Sequence, residues 1–160
     1  MEEKKYAVLI DGDNISSKYL DSILNEMTKY GIATYKRIYC DFTSQQSSKW
    51  RRLVRDSGIQ AMQQFANTVG KNATDSTLII DAMDILYTGN VDGFCIVSSD
   101  GDFTRLAIRL KESGMDVIGM GESKTPRSFR AACTVFTDLE ILYEAESEDD
   151  EISTKGKKPA

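Results

Sequence analysis

Two short apolar runs in this chain each end in carboxylates. Phe94 to Val97 leads through Ser98 and Ser99 into Asp100-Gly101-Asp102, and Tyr6 to Ile10 leads into Asp11-Gly12-Asp13-Asn14. A further acid, Asp75, falls near the centre of an apolar arc in the stretch from Thr74 to Thr88, where Leu78, Ile79, Ala82, Met83, Ile85 and Leu86 recur at helical spacing. Asp11, Asp75 and Asp100, with Asp13 and Asp102 close behind, would crowd negative charge into one cleft. Like charges that close raise one another's pKa or take up a cation. Oxygen ligands suit hard divalent ions, so the expected centre is a Mg²⁺ or Mn²⁺ site on Asp11, Asp75 and Asp100. Its chemistry would be metal-dependent hydrolysis of a phosphodiester. Asp81, on the flank of the arc, is expected to support the cluster from behind, as is Asp13, and Asp84 to be solvated. Plainer roles stand beside each of these. Ser99 with Asp102 forms a capping-box variant, Asp75 could assist a cap, and Asn14 either orients a water or caps the helix that follows it.

Composition narrows the chemistry. Histidine is absent, which removes serine triads, cysteine-histidine dyads, histidine bases and histidine-bound metals together. Cys40, Cys95 and Cys133 lack the paired spacing of a zinc site or disulfide framework and read as buried small hydrophobes. A length of 160 residues with 41% hydrophobic content implies one domain with a full core. No run approaches a membrane span and the opening MEEKK lacks a signal-peptide core, so a cytoplasmic location is expected. The net charge of −5 is uneven, because the six acids and three lysines after Tyr143 account for −3 of it. The rest of the chain is close to neutral and can still carry a local basic patch.

The elements that must position the acids follow one pattern, a strand, an acidic turn and a helix. Tyr6 to Ile10 precedes a helical stripe of Ile15, Tyr19, Leu20, Ile23, Leu24 and Met27. Ala33 to Cys40 is a strand, Ser47 to Ser57 a helix stopped by Gly58, and Ile59 to Phe65 a third strand before a polar loop at Asn67 to Asn72. The Thr74 helix, the strand Phe94 to Ser98 and a helix through Phe103, Leu106, Ala107 and Leu110 come next. Met115 to Met120, a short helix Arg127 to Ala132 and a sixth strand at Thr134 to Thr137 complete the pattern. It predicts a doubly wound α/β sandwich with a mainly parallel sheet of five or six strands and helices on both faces. Every crossover helix then starts where strands end, which brings Asp11, Asp100 and the start of the Thr74 helix to one edge.

Cations should gather at the same edge. The loop after the fifth strand opens there, and Lys124, Arg127 and Arg130 are expected to hold substrate phosphates. Lys49, Arg51, Arg52 and Arg55 surround Trp50; a solvated helix face is the ordinary reading of such a run, and an RNA path the alternative. From Glu144 onward the chain is acidic, then basic, and without evident periodicity. Residues 144–160 are therefore expected to be a disordered charged tail or linker remnant, with 1–143 as the domain.

In order, VLIDGDN, NATDSTLIIDAMD, CIVSSDGDF and VIGMGESKTPRSFRAAC resemble the bacterial branch of the NYN domain family, whose domains are similar to PIN-type nucleases. The resemblance covers Tyr6 to Tyr143. It implies a PIN-like sheet of strand order 3-2-1-4-5 and a metal-dependent ribonuclease acting on RNA, single-stranded in kind. Asp11 and Asn14 match the acid and asparagine after the first strand, Asp75 and Asp81 the acids of the middle helix, and Asp100 and Asp102 those after the fourth strand. One departure is visible: many relatives read Lys-Gly before the helix acid, whereas this chain reads Lys71-Asn72-Ala73-Thr74-Asp75. The resemblance also implies a C-terminal RNA-binding module in longer parent chains. Two other readings compete. One is an RNA-binding module with a vestigial acidic site. The other is a haloacid-dehalogenase-like phosphatase, suggested by Asp11-Gly12-Asp13 but disfavoured because the chain passes straight into a helix at Ile15.

Overall fold

The sheet is built outward from β1 (Lys5–Asp11), which pairs in parallel with β2 (Ile32–Cys40) on one side and β4 (Gly93–Val97) on the other. The computed structural model describes residues 3–64 and 73–156, and the side chains of 3–64 and 77–148. β3 (Gln60–Gln63) joins β2, β5 (Asp116–Gly121) joins β4, and β6 (Val135–Asp138) joins β5, every pair parallel. The order β3-β2-β1-β4-β5-β6 is the expected one, with the sixth strand added at the β5 edge.

The central strands read as unbroken apolar runs because helices cover both faces. Residues 6–10 and 94–97 are 2% exposed or less, which is the burial a doubly covered parallel strand requires. Alternation along β1 sorts the core. Tyr6, Val8 and Ile10 pack with Cys95 and Val97 under α1 (Leu20–Met27), α2 (Ser48–Ser57) and α6 (Leu139–Gly156). Ala7 and Leu9 pack with Phe94 and Ile96 under α3 (Ala73–Thr88), α4 (Thr104–Glu112) and α5 (Arg127–Ala132). By the same period of two, Asp11 belongs to the α3–α4–α5 face at the strand's end.

The predicted α3 arc holds: Leu78, Ala82 and Ile85 are buried and Ile79, Met83 and Leu86 pack against them. The three cysteines are buried and free, and burial pushes the thiols of Cys40 and Cys133 up to about 12. Phe65 and Lys71 lie outside the described residues. Positions 74 and 75 fall in the first turn of α3, with their side chains outside the description.

Beyond Tyr143, where a disordered charged tail is expected, the helix that begins at Leu139 runs on. α6 continues to Gly156, and its periodicity is carried by Leu139, Leu142, Tyr143 and Glu146. Leu139 is buried and Leu142 packs on the same core, Tyr143 meets the Tyr19 ring edge-on at 5.5 Å, and Ser22 donates to Glu146 at 2.6 Å.

Candidate active site

Asp11 ends β1, where its register partner is Tyr39 on β2, and the chain turns at Gly12. A Cβ at Gly12 would come within 2.8 Å of the Ile38 side chain and 3.1 Å of the Cys40 Cβ, so the bare glycine lets the turn press against β2 without displacing Ile38. Gly12 donates to the Tyr39 carbonyl at 2.9 Å, and its own carbonyl accepts from the Trp50 indole at 3.0 Å. Trp50, inward on α2 as its spacing implied, thus clamps the turn that carries Asp11.

The Asp11 carboxylate is 0% exposed. Its Oδ2 accepts from Asn14 Nδ2 at 2.9 Å and from the Ser98 hydroxyl at 2.8 Å, while its Oδ1 is buried with no donor. Burial raises its pKa, the two hydrogen bonds lower it, and the charges of Asp13 and Asp100 raise it again; the result is about 6. An orphaned, desolvated carboxylate oxygen among other acids is what a hard cation would satisfy, so the donor chemistry fits Mg²⁺ or Mn²⁺.

Ser98 is the residue that sequence reasoning missed. It follows β4 directly, and its hydroxyl donates to Asp11 and accepts from the backbone N–H of Asp100 at 3.0 Å, joining the two strand-end acids. Its signal was its place as the first polar residue after the apolar run. The cap after β4 is also different from the expected Ser99–Asp102 box. Asp100 is the capping residue, accepting from the Asp102 N–H at 2.9 Å, and the Ser99 hydroxyl accepts from the Glu122 N–H. Asn14 does not cap: Ser16 accepts from the Lys18 N–H instead, which leaves the Asn14 amide for Asp11.

Asn14 bonds to the Asp11 carboxylate, Ser98 links it to the Asp100 backbone, and Asp13 and Asp100 are near enough for their charges to act on it, whereas other members of the expected set lie apart. Asp13 accepts from the Asp41 N–H and from Gln64. Asp102 is exposed beyond Asp100. Asp81 lies farther down the sheet, where it accepts from the Tyr39 hydroxyl at 2.6 Å and pairs with Arg37 at 3.1 Å. That pairing ties α3 to β2. Among the described residues no three acids or cysteines stand close enough to hold a metal together, and the side chain of Asp75 is outside that set.

An open cleft of about 970 Å³ lies over the turn, lined among others by Asp13, Asn14, Asp41, Asp100, Lys49 and Lys124. Lys124 is 3.7 Å from Glu122 and 72% exposed. Arg127 is exposed, without an ion pair among the described residues. Arg130 is tied to its own loop. Its guanidinium donates to the carbonyls of Thr125 and Ser123 at 3.0 and 2.7 Å and stacks 4.6 Å from the Phe136 ring, which shapes the loop. Arg51 similarly donates to the carbonyls of Phe42 and Ser44.

A solved structure of a protein of unknown function from Vibrio parahaemolyticus is similar in fold, with a TM-score of 0.69 at 19% identity, covering 86% of this chain and 96% of that one. An uncharacterized protein of Methanocaldococcus jannaschii is 27% identical over 125 residues, which is 74% of this chain and 48% of the relative. The chain therefore spans about half the length of the curated relative it matches. Among the described residues no helix is long and apolar enough to cross a membrane. The NYN domain matches residues 5–140, from the first residue of β1 into the first turn of α6, so that every strand of the parallel PIN-like sheet lies inside the match and the chain belongs to the NYN domain family.

Proposed function

We propose that the chain is a metal-dependent ribonuclease that hydrolyses single-stranded RNA at the cleft above β1 and β4. The observation that carries this reading is the Asp11 carboxylate, fully buried, with one oxygen held by two donors and the other by none. Asp11 and Asp100, with Asp75 from α3, would hold Mg²⁺ or Mn²⁺. Such an ion supplies a Lewis acid that activates water and offsets phosphate charge. Ser98 fixes Asp11 against the Asp100 turn. Asn14 donates its amide N–H to Asp11 and lines the cleft, where it would help to orient the attacking water. Lys124 and Lys49 at the cleft walls, and Arg127 beyond them, would hold the flanking phosphates.

The test is cleavage of labelled single-stranded RNA in Mn²⁺ by the wild-type chain and by Asp11→Asn and Asp100→Asn. Loss of cleavage in both variants, and in the wild type with chelator, is expected. Full activity in both would reduce the strand-end acids to turn and cap residues. A binding module without turnover is the second reading, and RNA binding in chelator without cleavage in Mn²⁺ would select it.

A further inference from the structure

We infer that single-stranded RNA leaves the acidic cleft along a groove between the start of α1 and α2, with Lys18, Lys49 and Arg52 on its phosphates. This rests on the ribonuclease reading and extends it to the path of the substrate. The groove, about 380 Å³, is lined by Lys18, Leu20, Asp21, Lys49, Arg52 and Leu53 together with Ser16 and Ser17. Ser16, Ser17 and Lys49 also line the larger cleft, so the groove adjoins it.

The sign of the charge changes along that path. The cleft sets Asp13, Asp41 and Asp100 against Lys49 and Lys124, whereas the groove has three cations, Lys49 among them, and one acid in a chain of net charge −5. Lys49, Arg52 and Leu53 stand at i, i+3 and i+4 on α2 and so share one face, across from Lys18 and Leu20. Among the described residues neither Lys49 nor Arg52 has a carboxylate within ion-pair distance. Lys18 is held over the rings of Tyr19 and Tyr143 at 5.1 and 5.3 Å, so α6 fixes its ammonium at the groove. By contrast Arg51, next to Arg52 in sequence, is used up on loop carbonyls. Cations without fixed counter-charges bind a phosphate chain by releasing its condensed ions, a contribution that carries no sequence information. The groove offers Leu20 and Leu53 as an apolar floor and no aromatic ring among its lining residues, so base stacking adds little selectivity.

The experiment uses the full chain and a fluorescent oligouridylate of twelve nucleotides, with affinity measured in Ca²⁺ across a salt series. Lys18→Gln combined with Arg52→Gln should weaken binding and flatten the slope of log affinity against log salt by about 1.4, two contacts at about 0.7 each for a single strand. In Mn²⁺ the loss in kcat/KM should be larger on the twelve-nucleotide RNA than on a four-nucleotide one, and Arg52→Glu should deepen it. A wild type that cleaves RNA beside a double variant of identical slope and length dependence overturns the groove and leaves the ribonuclease reading standing. A wild type that neither binds nor cleaves the RNA overturns both.

Discussion

Replacing Asp11 by Asn should stabilise the metal-free protein at neutral pH and lose that advantage in acid. The Asp11 carboxyl has a pKa of about 6 in the folded chain against an ordinary value of 3.8, a rise caused first by burial. Between those values the folded state keeps a proton that the unfolded chain has released, so stability falls as pH rises through the window. Above the folded pKa the full penalty applies, roughly two pH units at about 1.4 kcal/mol each, or about 3 kcal/mol. Asparagine removes the charge, and its amide oxygen can still accept from Asn14 and Ser98. Its N–H₂, placed where Oδ1 now has no partner, becomes a buried donor without an acceptor at a cost of about 1–2 kcal/mol. The net gain at pH 7.5 is about 1–2 kcal/mol, and a chain of this size gains about 2–4 °C in Tm per kcal/mol. Thermal melts in chelator at pH 7.5 and pH 4 test it: the variant should melt higher than wild type at the first and no higher at the second. Saturating Mn²⁺ should then raise the wild-type Tm and leave the variant nearly unmoved, since binding to the folded state alone is what stabilises. A difference in Tm that is independent of pH, or a variant less stable at pH 7.5, would refute the buried, charge-strained carboxylate.

Asp81→Ala should destabilise by about 2–3 kcal/mol in urea melts, because the Tyr39 hydroxyl and Arg37 lose their shared acceptor. Its RNA cleavage per folded molecule should persist, and a loss of cleavage at unchanged stability would instead assign Asp81 to the reaction. Arg130→Ala should lower the Tm, since the carbonyls of Ser123 and Thr125 lose their donor, whereas Lys124→Ala should leave it unchanged and flatten the salt dependence of RNA affinity by about 0.7. The opposite assignment of the two effects would restore Arg130 as the phosphate contact.

Much of this arrangement was legible in the chain itself. Apolar runs such as Tyr6 to Ile10 and Phe94 to Val97, unbroken by polar residues, announce strands covered on both faces, and parallel connection forces their acidic ends to one edge. Trp50, the α3 arc and the buried cysteines follow from spacing and hydropathy, which are local properties of side chains and survive folding unchanged. Arginine and acid roles were not legible in that way. Arg130, Arg51 and Asp81 look like free charges in the sequence and become loop and sheet ties only when carbonyls and a tyrosine from other elements arrive beside them. Beyond Tyr143, Glu146 meets Ser22 of α1 from more than a hundred residues away, a contact no local pattern announces. Ser98 meets Asp11 across 87 residues, and Lys18 faces Arg52 only because two helices start side by side. Periodicity states which way a side chain faces its own backbone. The partner it meets depends on strand register and helix placement, which are settled by packing the whole chain at once.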